Sequence, residues 1–207
     1  MTALVVAGIV GLVTAAIFLG SGPGGGDAAG AQTGPGGFTY QVGEPGAGEP
    51  APPIQLPAAS GGSFDLADAR GETVLLYFQE GLMCQPCWNQ LTEIESHWGR
   101  FEQLGIDRIV TITTDPLGAL GQKVQLEGIT STVLSDVDKQ VSPAYDTLAY
   151  GMMGGSHNGH SFVVVGPEGD IVWRADYGGA PDYWMYLPVD ALLNDLRAGL
   201  NGDSEGA

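Results

Sequence analysis

Positively charged residues are scarce in this sequence. Lys and Arg together number 7 against 24 Asp and Glu, so the formal net charge is −17. A nucleic-acid surface has to neutralise phosphates, and docking on anionic lipids needs clustered basic side chains. The composition therefore argues against nucleic acid as a partner and against polybasic attachment to a membrane.

Cysteine is equally scarce, because Cys84 and Cys87 are the only two. Two cysteines cannot form the multi-disulfide framework of a small secreted protein. One such pair also supplies only half of the four ligands that a structural zinc site commonly takes. The sequence has no phosphate-cradling glycine motif, and we expect no organic cofactor. The close spacing of the pair points to chemistry carried by the sulfur atoms themselves.

Residues 1–20 contain no charged side chain and are dominated by Val, Ile, Leu and Phe. As a helix they would span roughly 30 Å, the thickness of a bilayer's hydrocarbon core. We predict a transmembrane anchor here, the alternative being a signal peptide cleaved near Ala29-Gly-Ala31. The first basic side chain is Arg70, so the positive-inside tendency leaves the amino terminus in the cytoplasm and the folded domain outside the cell membrane.

The Gly-rich and Pro-rich residues 21–53 offer almost nothing apolar to bury, so we predict a disordered linker. The pattern changes at Ile54. We assign residues 54–200 to one folded domain and residues 201–207 to a disordered tail.

Short apolar runs alternate with amphipathic segments through the folded domain. Strands are predicted at residues 72–78, 107–113 and 131–134, and a final hairpin at 161–165 and 170–174. Helices are predicted over residues 88–101, 116–126, 138–148 and 189–200. This order predicts an α/β domain with a mixed central sheet, parallel apart from the hairpin and flanked on both faces by helices.

The motif Cys84-Gln-Pro-Cys87 lies where the first of these strands ends and the first helix begins. Amides at a helix N-terminus stabilise an anion and so favour the thiolate, which is the reactive form of cysteine. Pro86 suits the first helical turn, where its missing N–H costs nothing. The spacing lets one cysteine attack a mixed disulfide formed on the other. We predict Cys84 as the exposed nucleophile and Cys87 as the buried resolving cysteine.

Other roles for the pair are less favoured. A zinc site lacks ligands, and a purely structural disulfide would close a loop so small that it contributes little entropy. Copper binding is a further alternative.

The folded part resembles the thioredoxin-like redoxins, meaning the TlpA/ResA-type membrane-tethered oxidoreductases and the related AhpC/TSA peroxiredoxins. The resemblance is carried by VLLYF at 74–78, by CQPCW at 84–88, by LSD at 134–136 with VSPAY at 141–145, and by SFVVVGPEGDIVWR at 161–174. It implies a thioredoxin-like fold and extracytoplasmic thiol–disulfide exchange.

Several positions depart from the family pattern. Met83 replaces the Trp that usually precedes the first cysteine. The buried acidic residue of thioredoxin would fall near Phe78, so this sequence lacks it. The peroxidatic pattern Pro-x-x-x-Thr-x-x-Cys has Tyr77 and Gly81 in place of its Pro and Thr. Polarisation of hydrogen peroxide in the family manner is therefore not expected.

The resemblance places His160 in a loop facing the cysteines, at the position of the family's cis-proline or of the peroxiredoxin Arg. As an imidazolium it would stabilise the Cys84 thiolate, and it could also shuttle a proton. With both cysteines it would give a soft-metal site similar to that of SCO-type copper proteins. A plain polar loop residue is the alternative. Glu80 is a candidate proton acceptor, or else a solvated loop carboxylate.

The sequence thus predicts a membrane-tethered, extracytoplasmic thiol–disulfide oxidoreductase that acts on protein thiols and disulfides, with Cys84, Cys87, His160 and Glu80 as site residues. A transmembrane or extracytoplasmic electron donor would complete its cycle. Peroxide reduction is one alternative, and copper binding by the two cysteines and His160 is the other. Trp88 is expected to pack beside the cysteines, and His97 and His157 to lie at the surface.

Overall fold

The computed structural model describes residues 30–202, so the predicted anchor at residues 1–20 lies outside the described residues. Within the described range, every helix is too short or too polar to cross a bilayer. The last helix continues through Gly202, so the prediction of a disordered tail is wrong for residues 201 and 202.

The secondary-structure elements follow the predicted alternation after a strand-rich beginning. In chain order they are β1 (Gln32–Thr33), β2 (Thr39–Tyr40), β3 (Gln55–Pro57), β4 (Ser63–Asp65), β5 (Val74–Phe78), α1 (Gln85–Ser96), α2 (Trp98–Glu102), β6 (Arg108–Thr113), α3 (Leu117–Glu127), β7 (Thr132–Ser135), β8 (Ser161–Val165), β9 (Ile171–Asp176) and α4 (Val189–Gly202). Short 3₁₀ helices lie at Leu66–Ala69, Ser142–Tyr145 and Thr147–Tyr150.

The central sheet has five strands in the order β7-β6-β5-β8-β9. Strands β5, β6 and β7 are parallel, whereas β8 pairs antiparallel with both β5 and β9. The predicted mixed sheet with a terminal hairpin is therefore confirmed. The parallel arrangement brings the carboxyl ends of β5, β6 and β7 together at one end of the sheet, and the cysteine motif follows β5 there.

The two faces of the sheet are covered differently. Successive residues of a strand point to opposite faces, so Leu75 and Tyr77 face the apolar residues of the four α-helices. Leu76 and Phe78 face the β3–β4 hairpin and Tyr145 instead. Helices were expected on both faces, and the second face is covered mainly by this hairpin and 3₁₀ turns.

The predicted helix over residues 138–148 is replaced by two 3₁₀ helices. The buried Asp136 carboxylate accepts hydrogen bonds from the amides of Gln140, Val141 and Ser142. Between the two turns, Asp146 has a φ of +52°. Side-chain capping and a left-handed residue each stop an α-helix from propagating, which explains the difference.

The predicted helical face over residues 88–101 is split. Helix α1 ends at Ser96, and His97 adopts φ −116° and ψ 19° before α2 begins at Trp98. The Ser96 hydroxyl donates to the carbonyl of Glu93 at 2.9 Å. This side-chain hydrogen bond competes with the helical pattern.

Residues 32–52, named here the N-terminal strap, lie along the outer edge of β9. Gln41 pairs with Asp176, and the Gly48 amide donates to the Ile171 carbonyl at 2.8 Å. The prediction of a disordered linker is therefore wrong for residues 30–53. The segment is held mainly by backbone hydrogen bonds, which an analysis based on apolar side chains does not detect.

Two buried acids secure the strap. On α4, Asp195 accepts hydrogen bonds from the Gly36 amide at 2.6 Å and from the Tyr177 hydroxyl at 2.7 Å. A Cβ at Gly36 would lie 2.4 Å from the Ala191 carbonyl oxygen, so the absence of a side chain permits this approach.

The second acid, Asp176, forms an ion pair with Arg174 in which both side chains are fully buried. Asp176 also accepts the Gly43 amide at 2.8 Å, and Arg174 donates to the carbonyls of Pro45 and Tyr145. The pair thus satisfies backbone groups of the strap and of the second face of the sheet.

Candidate active site

Cys84 and Cys87 form a disulfide at the start of α1, with an S–S distance of 2.08 Å. Cys84 is the residue that caps the helix, and the amide of Cys87 donates to its Sγ at 3.3 Å. Pro86 lies in the first turn, as predicted. The site is therefore in its oxidised state, with the sulfur of Cys84 at the positive end of the helix dipole.

The two cysteines differ in accessibility. The exposed fraction is 6% for Cys84 and 0% for Cys87, whereas the preceding Met83 is 90% exposed. Cys84 is therefore buried rather than exposed as predicted, although it is the more accessible of the two cysteines, and its role as the nucleophile stays a prediction. Met185, which the sequence analysis missed, forms a small buried apolar cluster with the two cysteines.

The loop before Cys84 is fixed around Gly81, whose φ is +92°. The Gly81 carbonyl accepts hydrogen bonds from the Cys84 amide and from the Trp88 indole, each at 3.0 Å. Trp88 is completely buried and belongs to the main apolar core, and its indole bonds to the loop that leads to Cys84. These two bonds hold the loop against the first turn of α1.

Asp115 is a site residue that the sequence analysis missed. It follows β6, and its carboxylate accepts the Leu82 amide at 2.8 Å. Because β5 and β6 are parallel neighbours, the residues that follow each strand lie together at the same end of the sheet. The sequence signal that could have identified Asp115 was an acidic residue just after the second predicted buried strand.

His160 is brought to the site and is fully buried. Its Nδ1 lies 3.0 Å from the Tyr77 hydroxyl, which in turn donates to the Cys87 carbonyl at 3.2 Å. Its Nε2 has no hydrogen-bond partner among residues 30–202. His160 is therefore not a solvent-facing loop residue, because its ring is buried against Tyr77 and Phe162, and its functional role stays a prediction.

Burial lowers the pKa of His160 to about 3. The imidazole is therefore neutral near pH 7 while the disulfide is closed. The expected imidazolium is not present in this oxidised state, because desolvation penalises the charged ring.

Glu80 lies at the same end of the sheet, only 8% exposed. Its carboxylate accepts the Met152 amide at 2.9 Å, so the alternative of a solvated loop carboxylate is wrong. Burial, with the charge of Glu80 as a second cause, raises the pKa of Tyr77 well above its ordinary value. Tyr77 therefore remains a protonated phenol and a hydrogen-bond donor across the physiological pH range.

The other two histidines lie away from this cluster. His97 is exposed at the end of α1, and His157 is half-buried next to Ser156. Within residues 30–202, no three or more His, Cys, Asp or Glu side chains are grouped so as to hold a metal ion. The copper alternative built on Cys84, Cys87 and His160 therefore has no support in this oxidised geometry.

Comparison with known proteins agrees with the fold and the cysteine chemistry. The family model described as the AhpC/TSA family matches residues 47–174, more than half of the chain. The chain belongs to the AhpC/TSA family. The predicted resemblance is thus confirmed, and the chain is a redoxin-family oxidoreductase.

The similar proteins include both a peroxiredoxin and a thiol-disulfide oxidoreductase. A Mycobacterium tuberculosis protein named as a peroxiredoxin is 34% identical over 130 residues, which are 60% of this chain and 81% of that protein. The Bacillus subtilis thiol-disulfide oxidoreductase ResA is 27% identical over 125 residues, 60% of this chain and 64% of ResA. The crystal structure of peroxidoxin BcpB from Mycobacterium tuberculosis matches with a TM-score of 0.60 at 18% identity, over 74% of this chain and 97% of that one. This last likeness supports the thioredoxin-like fold.

Proposed function

We propose that the chain is a thiol–disulfide oxidoreductase whose Cys84–Cys87 dithiol exchanges with cysteines of protein partners. The observation that carries the proposal is the disulfide in the first turn of α1, with the slightly exposed Cys84 at the helix cap and Cys87 fully buried. A helix N-terminus lowers the pKa of a thiol and raises the fraction of reactive thiolate.

When the chain reduces a partner, the Cys84 thiolate attacks one sulfur of the partner disulfide, and the other partner sulfur leaves as a thiolate. The Cys87 thiol then loses its proton and attacks Sγ of Cys84. This closes the intramolecular disulfide seen here and releases the second partner sulfur as a thiolate, which takes up a proton. Two electrons pass to the partner, and the reverse sequence oxidises a partner dithiol.

The test is reduction of a protein disulfide, with insulin as the probe and dithiothreitol as the source of electrons. Cys84→Ser is expected to abolish catalysis, and Cys87→Ser to accumulate a mixed disulfide through Cys84 that is visible by mass spectrometry. Full activity in Cys84→Ser would overturn the assignment of the nucleophile.

Reduction of hydroperoxides is the second candidate, and the family match and the peroxiredoxin relative favour it. Here the Cys84 thiolate attacks a peroxide oxygen, the O–O bond breaks, and the alkoxide or hydroxide that leaves takes up a proton from water to give an alcohol or water. Cys84 becomes a sulfenic acid, and the Cys87 thiol condenses with it, releasing water and closing the same disulfide. We rank exchange first because two residues depart from the peroxiredoxin pattern, Gly81 at the expected Thr and His160 at the expected Arg.

Single-turnover oxidation of the reduced protein separates the two candidates. The loss of the chain's own Cys84 and Cys87 thiols is followed by alkylation and mass spectrometry after mixing with hydrogen peroxide, cumene hydroperoxide or insulin with intact disulfides. If the thiols are lost a hundredfold faster with either peroxide than with insulin, the peroxidase candidate is favoured. If they are lost a hundredfold faster with insulin than with either peroxide, exchange is favoured.

Membrane attachment through residues 1–20 and supply of electrons by a transmembrane or extracytoplasmic donor are proposed on the sequence alone. The test compares membrane and soluble fractions of cells that produce the full chain or a chain lacking residues 1–20. Protease accessibility in intact spheroplasts reports the side of the membrane. Equal solubility of the two chains would contradict the anchor.

A further inference from the structure

Tyr77 is the second-last residue of β5, and its side chain is fully buried beneath α1. Its ring stacks on Phe162 with centroids 4.6 Å apart, and it meets the His160 ring edge-on at 5.0 Å. Packing on two sides fixes where the hydroxyl points. That hydroxyl lies 3.2 Å from the Cys87 carbonyl and 3.0 Å from His160 Nδ1.

Counting hydrogens restricts the protonation of His160. A phenol has one hydrogen to donate, and here two acceptors are within reach. If it donates to the Cys87 carbonyl, then His160 carries its proton on Nδ1 and donates to the phenol oxygen. This arrangement satisfies all three groups and leaves Nε2 as an empty acceptor. The other arrangement would leave a buried N–H without a partner, which is the rarer defect.

The groups around the Tyr77 hydroxyl come from three elements. The Cys87 carbonyl approaches from α1 and His160 from the residue before β8, while the Glu80 carboxylate in the loop after β5 acts on the hydroxyl through its charge. Tyr177 lies behind Phe162, and its amide donates to the His160 carbonyl at 2.9 Å. None of these groups adds a positive charge while the disulfide is closed, because His160 is neutral.

We propose that Tyr77 is a positioning residue of the redox site, whose hydroxyl connects the Cys87 peptide to His160 and thereby sets how readily the reduced cysteine pair ionises. When the disulfide is reduced, negative charge develops beside a fully buried residue. By donating to the Cys87 carbonyl, the already oriented hydroxyl polarises the peptide that follows this cysteine, which favours negative charge nearby without reorganisation. Reduction by a partner dithiol that leaves one thiol and one thiolate releases one proton, and His160 takes up this proton at its unpartnered Nε2 and so compensates the charge. The inference rests on the proposed redox role of Cys84 and Cys87.

The experiment follows the alkylation of the reduced full chain with iodoacetamide across a pH series, with each cysteine resolved by mass spectrometry. Tyr77→Phe is expected to move the midpoint for Cys84 upward by at least half a pH unit, a threefold loss of thiolate at fixed pH. The matched control is Tyr145→Phe, which also removes a buried hydroxyl bonded to a backbone carbonyl, that of Pro52 at 2.7 Å. The control is expected to leave the midpoint unchanged.

A double-mutant cycle tests the connection to His160. His160→Asn alone is expected to shift the midpoint, and adding Tyr77→Phe to it should shift the midpoint no further. Additive shifts would overturn the coupling. In the wild-type protein, NMR of the His160 ring ¹⁵N nuclei is expected to show the Nδ1–H tautomer in the oxidised form. The ¹⁵N chemical shifts are expected to change on reduction. Identical spectra in the two redox states would also overturn the proposal.

The outcomes separate this inference from the proposed function. If reduced wild-type protein alkylates like an ordinary thiol, then the redox role of Cys84 fails. If the wild-type midpoint lies well below that of a free thiol and Tyr77→Phe leaves it in place, then only the role of Tyr77 fails.

Discussion

The carboxylate of Asp115 lies against Gly81 and holds the loop that leads to Cys84. It accepts the Leu82 amide at 2.8 Å, and a Cβ built on Gly81 would lie only 1.6 Å from its Oδ2. An acid after β6 and a glycine after β5 therefore form one structural unit. The position of the reactive sulfur depends on that unit as well as on the helix that the sulfur caps.

We predict that Gly81→Ala costs at least about 2 kcal/mol of unfolding free energy, because strain at positive φ is added to a steric clash with Asp115. Urea denaturation measures it. Gly105→Ala is the matched control, since Gly105 has a φ of +80° with open space around it, and its expected cost is only about 1 kcal/mol. Equal losses in the two variants would show that the contact with Asp115 is unimportant.

We predict that Asp176→Asn destabilises the protein by about 3–5 kcal/mol, because it leaves the buried Arg174 guanidinium without a counter-charge. Glu72→Gln removes a surface ion pair with Arg108, whose side chains are 36% and 43% exposed, and should change stability by less than about 1 kcal/mol. Thermal unfolding of both variants checks the contrast. A small effect for Asp176→Asn would mean that the buried pair is replaceable by a neutral one.

We predict that Asp195→Ala releases the N-terminal strap, because Gly36 and Tyr177 both lose their acceptor. Bonds to a charged group contribute about 1.5–3 kcal/mol each, so early proteolysis within residues 30–45 is expected under native conditions. Asp190→Ala on the same helix removes an exposed ion pair with Arg100 and serves as the control. Unchanged cleavage in Asp195→Ala would show that the strap is held by other contacts.

The stability of the oxidised protein should fall as the pH is lowered. Burial lowers the pKa of His160 from 6.5 to about 3, so the unfolded chain binds more protons between these values. Its contribution is present above pH 6.5 and is lost progressively below it. From pH 8 to pH 5 the loss is about 2 kcal/mol. His160→Asn should flatten this part of the profile, whereas the exposed His97→Asn should leave it unchanged. Parallel profiles for wild type and His160→Asn would contradict the prediction.

The sheet and the cysteine site could be predicted from the sequence because their signals are local. A buried run such as Val74–Phe78 indicates a strand covered on both faces, and the cysteine spacing after it predicts a helix start. The roles of Tyr77 and Asp115 could not be predicted. Tyr77 falls in an apolar run and looks like any core aromatic, and its partners come from α1 and β8.

The strap escaped prediction for a different reason. Gly36 and Gly43 resemble residues of a flexible linker, yet they let the backbone approach the domain closely. The partners that hold them, Asp195 and Asp176, come much later in the chain. Long-range hydrogen bonds between backbone and carboxylate leave no periodic pattern in a sequence.

The edges of the central sheet are occupied by other parts of the same chain. The strap pairs with β9, and beyond β7 the Ala59 amide donates to the Val133 carbonyl at 2.8 Å, next to the bridge between Ala58 and Leu134. Exposed sheet edges are templates on which neighbouring molecules pair and aggregate. Self-association of this chain by strand addition to the central sheet is thereby discouraged.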